Sequence, residues 1–261
     1  MSKRVRAWTA KATWLAGLAA AAAAALVGPA LARTGEEVRI AVAANFTAPA
    51  KEIGADFEKA TGNKAVLSFG ATGQLYAQIT QGAPFVILIS ADRATPAKAI
   101  KEGHAVDGSA FTYAVGKLVL YSKTSDLALG EPALKDAKFA KIAIANPSTA
   151  PYGAAAVEVM KAVGVYDALQ PKIVQGNNIG QTFQFVDTGN AEVGFVALSQ
   201  VIFAKSGSKW LVPAKLYKSI AQDAVLLKTG AASEGAKAFL AFLKGPEARK
   251  VIEKYGYGVG E

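Results

Sequence analysis

Phe85-Val86-Ile87-Leu88-Ile89 is the stretch that decides the fold. Five apolar residues in a row, with no polar alternation, describe a strand covered on both faces. Strands of that kind belong to parallel sheets flanked by helices. Outward from this run the chain keeps one rhythm. A helical segment over 73–80, stopped at Gly82, precedes it, and another over 95–101 follows it. Further upstream, Val38-Arg39-Ile40-Ala41-Val42 reads as a strand, 48–61 as a helix ended by Gly62, and 64–68 as a second strand. Alternation of this kind predicts an α/β fold.

Downstream the rhythm starts again. Strands are expected over 117–121 and 141–145, separated by a loop-rich stretch holding Gly130 and Pro132. A helix over 151–163 stops at Gly164, Ile173-Val174 is a short strand, 179–187 a helix, and Gly194-Phe195-Val196 a buried strand. A strand over 223–227 leads into a tail of two helical segments over 233–255, parted by Gly245-Pro246. No fixed-period repeat and no low-complexity linker separates the two α/β units. The simplest topology sends the chain into the second unit near Val115 and back near Ala221, so that the last helices complete the first. The expected organisation is lobe I over 33–115 plus 222–261 and lobe II over 116–221. Each lobe is a mainly parallel sheet flanked by helices, with two crossings and a cleft between them.

Residues 1–32 stand apart as an expected signal peptide. A basic start (Lys3, Arg4, Arg6, Lys11) leads to an apolar run from Trp14 to Val27, then to the small-residue pattern Ala30-Leu31-Ala32. The apolar run is shorter than the roughly 20 residues a membrane span needs. The protein is thus expected in the periplasm. The leader holds four of the 29 lysines and arginines, against 20 acids in the whole chain. The rest, among them Lys51, Lys59, Lys98, Lys101, Lys161, Lys237 and Lys244, are scattered over amphipathic helices. A nucleic-acid footprint would be clustered and interleaved with aromatics. There is no cysteine and one histidine, His104. Thiolate and disulfide chemistry is excluded, and little remains for metal-assisted or covalent catalysis. An enzyme would have to combine His104 with Ser109 or Ser68 and Asp107, in a polar turn without a nucleophile-elbow pattern. No enzymatic activity, cofactor or metal site is expected. Asp92 reads as a cap of the following helix or as the partner of a surface cation, and Arg93 as a solvated cation.

Four places share a local pattern in which a strand ends, a short polar or glycine-bearing loop follows, and a helix begins. They are Ala44-Asn45-Phe46, Gly70-Ala71-Thr72-Gly73, Thr149-Ala150-Pro151-Tyr152-Gly153 and Asn177-Asn178-Ile179-Gly180. Each helix start leaves backbone N–H groups unpaired and carries about +0.5 of partial charge. A shared anion site is one outcome, and simple capping by Thr72, Thr149 and Asn178 is the other. The glycines at 70, 73, 153 and 180 would let a ligand approach the backbone.

Seven motifs in register carry a resemblance. Ile40-Ala-Val-Ala-Ala-Asn-Phe46, Ser68-Phe-Gly-Ala-Thr-Gly-Gln-Leu75, and Gln81-Gly-Ala-Pro84 with Ile89-Ser-Ala-Asp92 come first. Asn146-Pro-Ser-Thr-Ala-Pro-Tyr-Gly153, Gly194-Phe-Val-Ala-Leu-Ser-Gln200, Gln222-Asp-Ala-Val-Leu-Leu227 and Tyr255-Gly-Tyr-Gly258 complete the series. Together they resemble the periplasmic molybdate-binding proteins of ABC transporters, a type II periplasmic binding protein family. The resemblance implies a two-lobed fold that holds a tetrahedral oxyanion, molybdate or tungstate, through neutral donors and delivers it to an inner-membrane permease. A monomer is expected. Carried over by motif, Asn45 supplies its side chain or N–H, with Ala44 beside it. Thr72 supplies hydroxyl and N–H, and Tyr152 and Ile179 supply backbone N–H groups. Ala197 stands where some members have a tyrosine that reaches the anion.

Chemistry then bears on the solute. Hydrogen phosphate carries a proton that needs an acceptor, and an unmade buried bond costs roughly 1–3 kcal/mol. No Asp or Glu sits at the expected contacts. Sulfate, a dianion of smaller size, is the remaining rival. Ferric binders use tyrosine side chains, often adjacent, and no Tyr-Tyr pair occurs. An amino acid would call for an arginine clamp and a carboxylate that the four loops lack.

Overall fold

The computed structural model describes residues 35–124 and 127–259. The expected leader and its cleavage point lie outside them. In chain order the first strands and helices are β1 (Glu37–Ala43), α1 (Thr47–Thr61), β2 (Lys64–Gly70), α2 (Thr72–Thr80), β3 (Ile87–Ile89), α3 (Ala94–Lys101) and β4 (Phe111–Gly116). Next come β5 (Leu118–Ser122), α4 (Glu131–Asp136), β6 (Ile142–Ala145), α5 (Pro151–Val163), α6 (Tyr166–Leu169), β7 (Ile173–Gly176) and α7 (Ile179–Asp187). The chain ends with β8 (Val193–Ala197), α8 (Leu198–Val201), β9 (Ser208–Leu211), β10 (Ile220–Leu226), α9 (Glu234–Lys244) and α10 (Pro246–Lys254).

These strands form two five-stranded sheets, β2-β1-β3-β10-β4 and β7-β6-β8-β5-β9. The two orders are the same pattern twice. In each sheet three strands joined through crossover helices run parallel. The fourth position holds a strand that arrives from the other lobe. Without a crossover helix of its own, it enters from the opposite end and pairs antiparallel on both sides, as β10 does with β3 and β4 and β5 does with β8 and β9. Lys117 alone separates β4 from β5, which makes the outward crossing a nearly continuous strand.

Burial explains the helices. Ile53 and Phe57 of α1 turn to the first sheet, and Phe57 meets Phe239 and Phe242 of α9 edge-on at 5.1 and 5.8 Å. Burying one such side chain contributes about 1.5–3 kcal/mol. At the end of α1, Gly62 takes the left-handed conformation (φ 75°) and returns its N–H to Glu58 O at 2.8 Å.

Four elements differ from expectation. Of the apolar run at 85–89 only Ile87–Ile89 is strand, because the Phe85 N–H turns back to Ala83 O after the Gly82 turn. A short helix, α4, forms where a loop was expected, with Pro132 in its first turn, where a missing N–H does no harm. β4 and β9 were not expected as strands. β9 is an edge strand whose Lys209 and Leu211 face solvent, so it has no apolar periodicity to read.

Candidate functional site

The last register pairs of the parallel strands set the site. Ala43 pairs with Gly70 at the ends of β1 and β2, and Ala145 pairs with Gly176 at the ends of β6 and β7. Strands that end level release their loops side by side. In the first lobe the loops open a single-turn helix at Ala44–Phe46 and the start of α2; in the second they open α5 and α7. All four starts meet at one cavity of about 10 Å³, lined by Ala43, Ala44, Asn45, Gly70, Ala71, Thr72, Ala91, Ala150, Pro151, Tyr152 and Ile179. No charged side chain lines it.

Ala44, Asn45, Thr72, Tyr152 and Ile179, the five residues singled out in the sequence, are therefore brought together. Pro151 opens α5 and has no N–H, which makes Tyr152 the first residue of that helix able to donate from its backbone. Asn178 caps α7 by accepting from the Gln181 N–H at 3.0 Å, leaving Ile179 at the open end. Thr72 is buried, and its Oγ1 accepts from the Ala91 N–H at 3.0 Å. With one lone pair so occupied, its own proton is left to donate.

Asn45 departs from the expected use of its side chain. Its Nδ2 already donates to Gln222 Oε1 at 2.9 Å and to Tyr257 Oη at 3.0 Å. Behind the cavity this pair opens into a buried polar network that sequence reasoning missed. Tyr113 Oη donates toward Gln222 Oε1 and Ser90 O, at 2.8 and 2.9 Å, and Gln222 Nε2 donates to Tyr152 Oη at 3.1 Å. Ser199 Oγ and Tyr257 Oη reach Asn45 O at 2.8 and 2.7 Å. Burial pushes the Tyr113 and Tyr152 phenols well above their ordinary range and Tyr257 up to about 12, so all three stay protonated donors at neutral pH. Gln222 and Tyr257 lay inside quoted motifs. Nothing in their local spacing pointed them at Asn45, which is 177 and 212 residues away.

The lobes also touch directly. Gly73 N–H donates to Thr149 O at 2.9 Å, and a Cβ on Gly73 would stand 3.1 Å from Thr149 Cα. At Gly153 a Cβ would lie 2.1 Å from Ala145 O, and at Gly180 3.0 Å from Asn178 Oδ1. These glycines thus serve close packing of the chain against itself. Of the four, only Gly70 lines the cavity.

The charged candidates lie elsewhere. A neighbouring groove of about 390 Å³ is lined by Asp92, Arg93, Glu158 and Lys218 among others. Asp92 accepts from the Thr95 N–H at 2.8 Å, which holds the start of α3, and Arg93 reaches Thr112 and Asp223. Ser109 Oγ donates to Val106 O and accepts from the Leu226 N–H of β10 at 3.2 Å, and Asp107 Oδ1 holds the Gly108 N–H, so these side chains hold the turn and tie it to the sheet. Ala197 is buried outside the cavity lining. Its N–H donates to Gln200 Oε1, whose amide in turn bonds Ile179 O at 3.0 Å and steadies the start of α7.

Two α/β lobes closing on a small uncharged cavity rimmed by helix starts define the class, a two-lobed solute-binding protein. The chain belongs to the bacterial extracellular solute-binding protein family, whose model matches residues 38–258. It is 56% identical over 238 residues to the molybdate-binding protein of Rhodobacter capsulatus, covering 91% of this chain and 94% of that one. With a molybdate-binding protein of Azotobacter vinelandii it is 53% identical over 227 residues, 85% of this chain and 90% of the other. A solved Azotobacter vinelandii periplasmic molybdate-binding protein superimposes with a TM-score of 0.83 at 39% identity, covering 86% of this chain and 100% of that chain. A sulfate-binding protein of Mycobacterium tuberculosis shares the fold, with a TM-score of 0.71 at 12% identity over 87% of this chain and 88% of the other.

Proposed function

We propose that this chain is a periplasmic binding protein that captures molybdate, or tungstate, between its lobes and hands it to an ABC permease. The carrying observation is the uncharged cavity where four helix starts converge. A dianion there meets N–H and O–H donors and no carboxylate. In a water-poor cleft, helix-terminal amides stabilise negative charge without any counter-ion. The ligand set is Ala44 and Asn45 through their backbone N–H groups, Thr72 through hydroxyl and N–H, and Tyr152 and Ile179 through N–H. The protein binds and releases its solute unchanged, as a monomer exported by its leader. Lobe I is assigned to 33–115 plus 222–261 and lobe II to 116–221.

Identity of 53–56% to relatives named for molybdate supports that solute over sulfate, whose binder shares only the fold. Calorimetric titration of the chain without its leader against molybdate, tungstate, sulfate and phosphate tests the assignment. Tight binding of the first two is expected, with a rise in melting temperature as ligand saturates the folded state. Tight sulfate binding with none for molybdate would overturn it.

A further inference from the structure

A single short turn reaches two of the four loops that rim the cavity. β8 ends level with the start of β5, Ala197 beside Leu118, and the Leu198 N–H that opens α8 donates to Lys117 O at 3.0 Å. The turn is thereby seated at the outward crossing between the lobes. From there Ser199 Oγ donates to Asn45 O of the first lobe at 2.8 Å. The next residue serves the other lobe: Gln200 Nε2 donates to Ile179 O at 3.0 Å, while its Oε1 accepts from the Ala197 N–H at 2.9 Å. A backbone N–H only donates and a backbone carbonyl only accepts, so these bonds fix which end of the Gln200 amide is which.

Neither side chain lines the cavity, yet Asn45 and Ile179 both do. Their loops also approach each other directly, since a Cβ on Gly180 would stand 3.8 Å from Ala44 Cβ. Packing fits α8 to the first lobe as well. Gly256, in the left-handed conformation (φ 81°), leaves room for Leu198 and Ile202, whose δ-carbons would lie 2.8 Å from a Cβ there. An element so placed holds the spacing between one helix start of each lobe. Donors aimed at an anion are worth most when their spacing is set before it arrives, because ordering them on binding subtracts from affinity.

We propose that Ser199 and Gln200 are positioning residues for the bound anion: they bracket the Asn45 and Ile179 loops and hold the two halves of the cage at a fixed spacing. This rests on the oxyanion reading of the cavity. Ser199 can be removed with little harm to the fold, because Tyr257 Oη still reaches Asn45 O at 2.7 Å. Gln200 serves two backbone groups at once, so its loss costs stability too.

Molybdate titration of the full chain without its leader tests this, with release followed by stopped flow. Ser199→Ala should bind about three- to tenfold more weakly, the worth of one hydrogen bond, through faster release. Its ligand-free melting temperature should stay that of the wild type. Gln200→Met should lose a similar factor in affinity and also melt lower. Phe203→Ala is the control. This ring, just past the same turn, meets Tyr255 of the first lobe edge-on at 5.3 Å but holds neither loop. Its removal should leave affinity within about twofold. Unchanged affinity in Ser199→Ala or Gln200→Met would overturn the proposal. An equal loss in Phe203→Ala would overturn it as well, since the effect would then be general adhesion between the lobes. If the wild type fails to bind molybdate, the proposed function falls first. If it binds and Ser199→Ala binds as tightly, only the bracket falls.

Discussion

The two sheets have the same strand order, yet the lobes bring different chemistry to the cavity. The first lobe presents a side chain as well as backbone: the Thr72 hydroxyl, whose Oγ1 accepts from the Ala91 N–H and keeps its own proton to donate. From the second come helix starts whose side chains turn away, Tyr152 into the network and Ile179 into the core. Duplicated topology fixes where helix starts gather. It does not fix which atoms do the recognising. Among the residues that line the cavity, side-chain substitution should therefore damage binding in the first lobe and damage mostly packing in the second.

The largest effect expected from that contrast is on stability. Gly153→Ala places a methyl 2.1 Å from Ala145 O, a backbone atom that cannot move aside. A loss of about 3 kcal/mol, seen as a melting temperature lower by roughly 6–12 °C, is expected. An unchanged melting curve would show that α5 is not held so closely to β6. Next comes Thr72→Val, which removes a donor and leaves the Ala91 N–H without its acceptor. Molybdate affinity should fall about 10–100-fold by calorimetry, and Thr72→Ser should restore most of it. Ile179→Val is the matching change in the second lobe. It should cost about 0.5–1.5 kcal/mol of stability in urea unfolding and leave affinity alone. A large affinity loss there would erase the contrast between the lobes.

The smallest expected effect is a pH dependence in the first lobe. That lobe is assembled from both ends of the described chain, and Glu36 joins them. Its carboxylate accepts from the Ser233 hydroxyl and from the Gly235 N–H at the start of α9. The Ser233 bond, then the Gly235 bond, hold its pKa below the ordinary 4.5. A lowered carboxylate pKa stabilises the fold above the unfolded value. That contribution is fully present above about pH 4.5 and is lost as pH falls through the lower folded value. The group is exposed, so Glu36→Gln should remove only about 0.3–1 kcal/mol, measured as a flatter stability profile on the acid side.

Much of the scaffold was legible because local rules agree with it. Pro151 at a helix start, Gly62 and Gly164 at helix ends, and Gly245-Pro246 between two helices each carry a signal that neighbours do not override. β9 escaped because it is a four-residue edge strand with an apolar residue, Leu211, on its exposed face, and its partner β5 is far along the chain. The cavity-facing loops could be found as a set, since parallel strands place their following loops on one edge. The state of the Asn45 side chain could not. It depends on Gln222 and Tyr257, contacts of long sequence separation that no periodicity encodes.

Gly73 sits at the start of α2, beside the cavity, yet its N–H is bonded across the cleft to Thr149 O. A proton held there is shielded only while the lobes are shut. In heavy water, then, the Gly73 amide works as a clock. It takes up deuterium only through openings of the cleft, at a pace set by how often they occur and how long they last. Bound anion should slow that clock. The amides of β1 and β2, deep in the first sheet, would keep their own time.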